Sequence, residues 1–235
     1  DRRSRCPRAR VAEELATDRY HGGLVITRAG GLHPARYVQG LAEAARRHGA
    51  TLASGVAFEG WSRAGGVFRA RTSAGEVEAR ALMIATNGYT GAATPWHRRR
   101  VVPVASYMVA TEEIGEARVR ALLPRLRVYG DTKKILYYFR PAPDLSRILF
   151  GGRASFRDEP ARHGGARLHR CLVDLLPGLA GTRITHAWKG NVAFALDMLP
   201  HVGVHDGVHF ALGCNGSGVV PMTHLGRCAA RMILG

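Results

Sequence analysis

Trp188-Lys189-Gly190, Asp197-Met198-Leu199-Pro200 and Gly213-Cys214-Asn215-Gly216-Ser217-Gly218 punctuate the closing stretch of this sequence, whose order reads as strand, strand, glycine turn and terminal helix. Val208-His209-Phe210-Ala211-Leu212 is a short apolar run suited to a buried strand. Three glycines in the next six residues permit a tight turn that brings bare backbone close to a ligand. A helix that starts there aims unpaired N–H groups at whatever sits above it, and such a terminus favours negative charge. The turn therefore suits a phosphate or the anionic ring of a reduced flavin; an ordinary strand-turn-helix closure of an α/β sheet is the other reading.

Working outward, Leu24-Val25-Ile26-Thr27 reads as a strand, and Gly30-Gly31 turns the chain toward Pro34. From Ala35 to His48, Tyr37, Val38, Leu41, Ala42 and Ala45 recur at helical spacing, and Gly49 supplies the stop. Strands are predicted at Thr51 to Ala53, Val56 to Ser62 and Val67 to Thr72, the last two joined through Ala64-Gly65-Gly66. Ala81-Leu82-Met83-Ile84-Ala85 is a continuous apolar run of the kind buried in a parallel sheet. Further on, the pattern predicts strands at Val101 to Ala110, Ile135 to Arg140, Ile148 to Gly151 and Ile184 to Val192. Helices are expected at Ala117 to Leu123 and Arg162 to Leu176.

At 235 residues and 46% hydrophobic, the chain can bury a substantial core. Cys6, Cys171, Cys214 and Cys228 show no C-x-x-C pairing and no zinc-like spacing with histidine, so no metal is assigned and a reducing, cytoplasmic compartment fits. The longest uncharged run, Gly207 to Gly226, carries five glycines and two histidines, which excludes a membrane span. A net charge of +16 raises nucleic-acid binding, but the arginines are scattered apart from Arg2 to Arg10 and Arg98-Arg99-Arg100, and no nucleic-acid motif is visible. A basic binding module stays as the second class of function.

Together with Ala85-Thr86-Asn87-Gly88-Tyr89-Thr90-Gly91 and Gly31-Leu32-His33-Pro34, the glycine turn resembles the D-amino-acid-oxidase-like family of FAD-dependent amine oxidoreductases. The likeness is nearest to its γ-glutamylputrescine oxidoreductase branch and runs from about Tyr20 to Gly235 in the family's motif order. One family element is missing: no G-x-G-x-x-G unit occurs, so the resemblance implies the C-terminal part of a longer oxidoreductase. The implied fold is α/β, with an incomplete Rossmann-like FAD-binding domain interleaved with an antiparallel, α+β substrate domain. Residues 29–100 and 196–235 would form the first, residues 17–28 and 101–195 the second, and residues 1–16 a solvated basic segment.

The resemblance also implies site residues. Ala85, Thr86, Asn87 and Gly88 would let the FAD ribityl or pyrophosphate approach the backbone. Gly213, Asn215, Gly216, Ser217 and Gly218 would present N–H groups to the N1/C2-carbonyl side of the ring, where they stabilise negative charge. Asp197 would cap or orient that turn, and Trp188 would wall the pocket or simply pack. Tyr138 and Arg140, on one face of a strand, would meet the substrate, with Arg140 forking onto a carboxylate or pairing at the surface. His33 is expected as a turn residue. Gly190, Asn191 and Val192 offer no cysteine where some relatives attach flavin, so FAD would be noncovalent. Ile148-Leu149-Phe150 holds no lysine for reaction with oxygen, which leaves the electron acceptor open.

The activity that the resemblance implies is oxidation of a primary or secondary amine by hydride transfer to flavin, with an ω-amino or γ-glutamylated polyamine-like substrate. A glycine- or sarcosine-type oxidase and a non-catalytic fragment stand beside it.

Overall fold

The computed structural model describes residues 3–133, 136–152 and 159–235. In chain order the elements are β1 (Arg3–Pro7), β2 (Gly22–Ile26), α1 (Pro34–Arg47), β3 (Phe58–Ala64), β4 (Val67–Thr72), β5 (Gly75–Ala79), β6 (Met83–Ile84), α2 (Pro95–Arg98), β7 (Val101–Thr111) and α3 (Glu116–Leu122). They continue with β8 (Tyr129–Gly130), β9 (Tyr137–Pro141), β10 (Ile148–Gly152), α4 (Ala161–Leu175), β11 (Ile184–Ala195), β12 (His201–His205), β13 (Val208–Leu212) and α5 (Val219–Leu234). The chain divides into two compact units, Asp1–His33 with Ala105–Gly190, and Pro34–Val104 with Asn191–Gly235.

The first unit is organised by a five-stranded sheet in the order β11-β7-β10-β9-β8. Strand alternation sends Tyr107, Val109, Phe139, Ile148 and Phe150 to one face, where they bury against Leu168, Leu172 and Leu175 of α4 and Val119 and Leu122 of α3. Burying a side chain of this size contributes roughly 1.5–3 kcal/mol, which makes this face the main source of the unit's stability. The helices end where proline interrupts their pattern: α3 stops two residues before Pro124, and α4 two residues before Pro177.

The basic N-terminal residues are largely exposed yet carry regular structure: β1 pairs antiparallel with β2, from Arg3 opposite Ile26 to Pro7 opposite Gly22. A 3-10 turn at Arg8–Glu13 follows. Val11 and Leu15 are buried, and Leu15 joins the sheet-helix core. Two apolar residues, Val11 and Leu15, anchor the segment while Arg3, Arg5, Arg8 and Arg10 stay at the surface.

The second unit holds the meander β3-β4-β5, the sheet β12-β13-β6, and helices α1 and α5. Gly65-Gly66 joins β3 to β4 as the sequence predicts. Phe68, Ile84 and Val208 form its core with Phe58, Trp61, Leu82 and Phe210 against them. The apolar run at 81–85 yields only the two-residue strand β6, paired parallel with β13 through Met83 opposite His209 and Ile84 opposite Phe210. Thr51 to Ala53 forms no strand. Ile135, the expected start of a strand, lies outside the described residues, and β9 is described from Tyr137.

Candidate functional site

β13 leads into the glycine turn, where Gly213, Asn215 and Gly216 take φ of 81°, 49° and 86°. Left-handed backbone at three of four positions folds the chain back on itself, and glycine and asparagine are the residues that tolerate it. Gly218 then opens α5, with the Met222 amide donating to the Gly218 carbonyl at 2.9 Å.

Asn215 is the hub of the turn. Its backbone N–H donates to the Ala193 carbonyl at 2.9 Å, its Oδ1 accepts from the Ala195 N–H at 2.9 Å, and its Nδ2 donates to the Gly213 carbonyl at 2.7 Å. A second asparagine reaches in from the loop after β6. Asn87 sits at φ 44°, and its Oδ1 accepts from the amides of Gly213 and Cys214 at 3.2 and 3.3 Å. That loop is closed locally by Thr90, whose hydroxyl donates to the Asn87 carbonyl at 2.7 Å and meets the Thr86 hydroxyl at 2.8 Å. Gly88 is buried where a Cβ would stand 2.2 Å from the Asn191 carbonyl oxygen, so only glycine fits. The Tyr89 hydroxyl accepts from the Asn191 N–H at 3.2 Å.

These bonds sort the amides of the turn. Gly213, Cys214 and Asn215 spend theirs inward, and Ser217 donates to the Cys214 carbonyl at 3.0 Å. The amides of Gly216, Gly218, Val219 and Val220 have no partner among the described residues, and Pro221 has no N–H to offer. The expectation that Gly213, Asn215 and Ser217 would present their own N–H groups to a ligand is corrected: long-range bonds consume those of Gly213 and Asn215, and the turn itself consumes that of Ser217.

Asp197 lies in the connection from β11 to β12, where its Oδ1 accepts from the Leu199 N–H at 3.1 Å and pairs with His201 Nε2 at 3.0 Å. The bond from His201, and then that from the Leu199 amide, hold the carboxyl below its usual range. Asp197 thus shapes its own loop, and among the described residues it makes no hydrogen bond to the glycine turn. Leu196, Met198 and Leu199 beside it are exposed, as are Val219 and Val220 at the start of α5, which gives the surroundings of the unpaired amides an apolar surface.

Tyr138, Arg140 and Trp188 belong to the first unit. Phe139 points into the core, so Tyr138 and Arg140 occupy the opposite face of β9. The Tyr138 hydroxyl bonds the Ser106 hydroxyl, and Arg140 Nη1 donates to the Leu32 carbonyl at 2.9 Å. One arm of the Arg140 guanidinium anchors the loop before His33, and among the described residues it makes no ion pair. Trp188, on β11, is 43% exposed. Ser106 and Ala195 escaped the sequence reading because neither sits in a motif. The Asn-Gly pairs at 87–88 and 215–216 were the available signal for left-handed asparagines.

Among the described residues no helix is long and apolar enough to cross a membrane, and no group of His, Cys, Asp or Glu is arranged to hold a metal ion.

Comparison with known proteins places this geometry in context. The chain is 32% identical over 230 residues to a probable oxidoreductase OrdL of Rhizobium meliloti, covering 97% of this chain and 53% of that protein. It is 29% identical over 228 residues to the gamma-glutamylputrescine oxidoreductase of Escherichia coli, covering 96% of this chain and again 53% of the relative. The chain thus spans about half the length of the curated relatives it matches. Among solved structures, glycine oxidase from Geobacillus kaustophilus superposes with a TM-score of 0.81 at 20% identity, over 98% of this chain and 62% of that one. L-proline dehydrogenase from P. horikoshii gives 0.79 at 16%, over 98% and 64%. These two likenesses establish the fold. With residues 2–232 matched to the family described as FAD dependent oxidoreductase, the chain belongs to the DAO family of FAD-dependent oxidoreductases.

Proposed function

We propose that this protein oxidises the C–N bond of a primary or secondary amine, with FAD held noncovalently at the glycine turn. The observation that carries the reading is the set of unpaired amides at Gly216, Gly218, Val219 and Val220, at the start of the 16-residue helix α5. The residues fit the cofactor: a Cβ on Gly216 would meet no atom within 4 Å, and residues 213–235 contain no acidic side chain to oppose an electron-rich ring. FAD, when bound, supplies the acceptor for the hydride leaving the amine's α-carbon.

The chain's own residues supply binding and polarisation. The α5 amides favour negative charge above them without needing an ionisable group. Exposed Leu196, Met198 and Leu199 offer apolar surface to a planar ring. Tyr138 and Arg140 offer a hydroxyl and a cation on one strand face for the substrate. Noncovalent attachment is supported by Gly190, Asn191 and Val192, which bring no thiol, and by Cys214, which is buried. The four cysteines are free, which supports a reducing compartment such as the cytoplasm.

A γ-glutamylated diamine is the substrate class we favour, on the likeness to the Escherichia coli relative. Arg140 supports a second reading, a small amino acid whose carboxylate it would clamp. The test is direct. The purified protein, reconstituted with FAD, should show a flavin spectrum, release the flavin into the supernatant on acid precipitation, and bleach anaerobically with γ-glutamylated diamines. Bleaching by glycine or sarcosine alone would favour the second reading. Failure to take up flavin would end both.

A further inference from the structure

We infer that Asn87 and Asn215 are positioning residues for the flavin turn, and that they act by different chemistry: Asn87 as an acceptor only, Asn215 as acceptor and donor at once. The inference deepens the proposed function and rests on it for the ligand, while the brace itself stands on the geometry alone.

Both groups that face the Asn87 carboxamide, the amides of Gly213 and Cys214, are donors. The atom turned toward them must be an oxygen, and a carboxylate oxygen would serve equally. At Asn215 the demands are mixed. The Ala195 amide needs an acceptor and the Gly213 carbonyl needs a donor, 2.9 and 2.7 Å away. Only a carboxamide meets both, because a carboxylate would set an oxygen against the Gly213 carbonyl oxygen. Each asparagine also holds a left-handed backbone, at φ 44° and 49°, which aspartate and glycine can share.

Together the two side chains tie the loop after β6 and the end of β11 to the start of the turn, and they do so on its inner side. Engaging Gly213, Cys214 and Asn215 there leaves the amides of Gly216, Gly218, Val219 and Val220 as the ones presented outward. Without the brace, the first part of the turn can rotate its own N–H groups outward and the presented set is no longer held.

The experiment compares N87G, N87D, N215G and N215D, because glycine removes the carboxamide without adding backbone strain at positive φ. Amide hydrogen exchange at Gly213, Cys214 and Ala195 reads the brace in the protein without flavin, and fluorescence quenching on FAD addition reads affinity. N87G should speed exchange at Gly213 and Cys214 and weaken FAD binding, each by about tenfold or more. N87D should restore slow exchange and most of the affinity. N215G should speed exchange at Ala195, whereas N215D keeps an acceptor for that amide but sets an oxygen against the Gly213 carbonyl, so it should weaken FAD binding about as much as N215G. Positioning is overturned if N87D is no better than N87G, or if N215D matches the native protein. Native protein that takes up no FAD, yet shows this exchange pattern across the variants, would overturn the flavin reading and uphold the brace.

Discussion

The Trp96 indole lies face to face with the His205 imidazole, ring centroids 3.8 Å apart and planes 13° from parallel. The Arg100 guanidinium carbon also lies over the indole, 3.5 Å from its centroid, and Arg100 Nη1 donates to the Trp96 carbonyl at 2.8 Å. Beside this stack His97 is only 4% exposed, its ring edge-on to Phe210 and its Nε2 without a partner among the described residues.

Burial, then the charges of His205 and Arg100, hold the His97 imidazole below its ordinary pKa. A base with a lowered folded-state value contributes stability that is present above the unfolded value, about 6.5, and lost as pH falls through the folded one. The melting temperature should drop between about pH 7 and pH 5, and H97F should flatten that limb. Thermal melts of both proteins across this range check it, and an unchanged limb in H97F would remove His97 as its source.

Gly88→Ala would place a methyl 2.2 Å from the Asn191 carbonyl oxygen. Backbone on both sides leaves no flexible side chain to yield, so the substitution should cost about 1–3 kcal/mol. Urea unfolding measures it as a lower midpoint at constant slope. A neutral result would mean that the loop after β6 shifts freely.

The carboxyl of Asp197 is held low by His201 and the Leu199 amide. The stabilisation is present above the unfolded value, about 3.9, and lost as pH falls through the lower folded value. D197N keeps an acceptor for Leu199 but no charge for His201. Acid unfolding followed by circular dichroism should show less loss below about pH 4 in D197N than in the native protein.

Arg140→Ala removes the donor to the Leu32 carbonyl. The lost bond should cost about 1 kcal/mol and loosen the Gly30–His33 segment, seen as faster amide exchange there. On the second reading proposed above, in which Arg140 clamps a substrate carboxylate, KM for carboxylate-bearing amines should rise more than kcat falls. An equal loss with amines that lack a carboxylate would assign Arg140 to the scaffold alone.

Local patterning made much of this fold legible. The periodicity from Tyr37 to Ala45, the alternation across Val101 to Thr111 and the prolines behind α3 and α4 place helices and strands within a few residues. Each signal spans one element, and the physics that produces it is confined there. The run at 81–85 shows the limit: apolar continuity announces burial, but the length of a strand depends on what lies beside it, and β13 pairs with only Met83 and Ile84.

By itself the sequence determined that a glycine turn follows an apolar strand and opens the terminal helix, because turn chemistry is local. Only the tertiary structure decided which of the turn's amides are spent. Asn87 reaches Gly213 across 126 residues of chain, and no periodicity encodes a bond of that range. The same distance rule explains Leu15, whose place in a core built around α4 is set by segments far from its own arginine-rich surroundings.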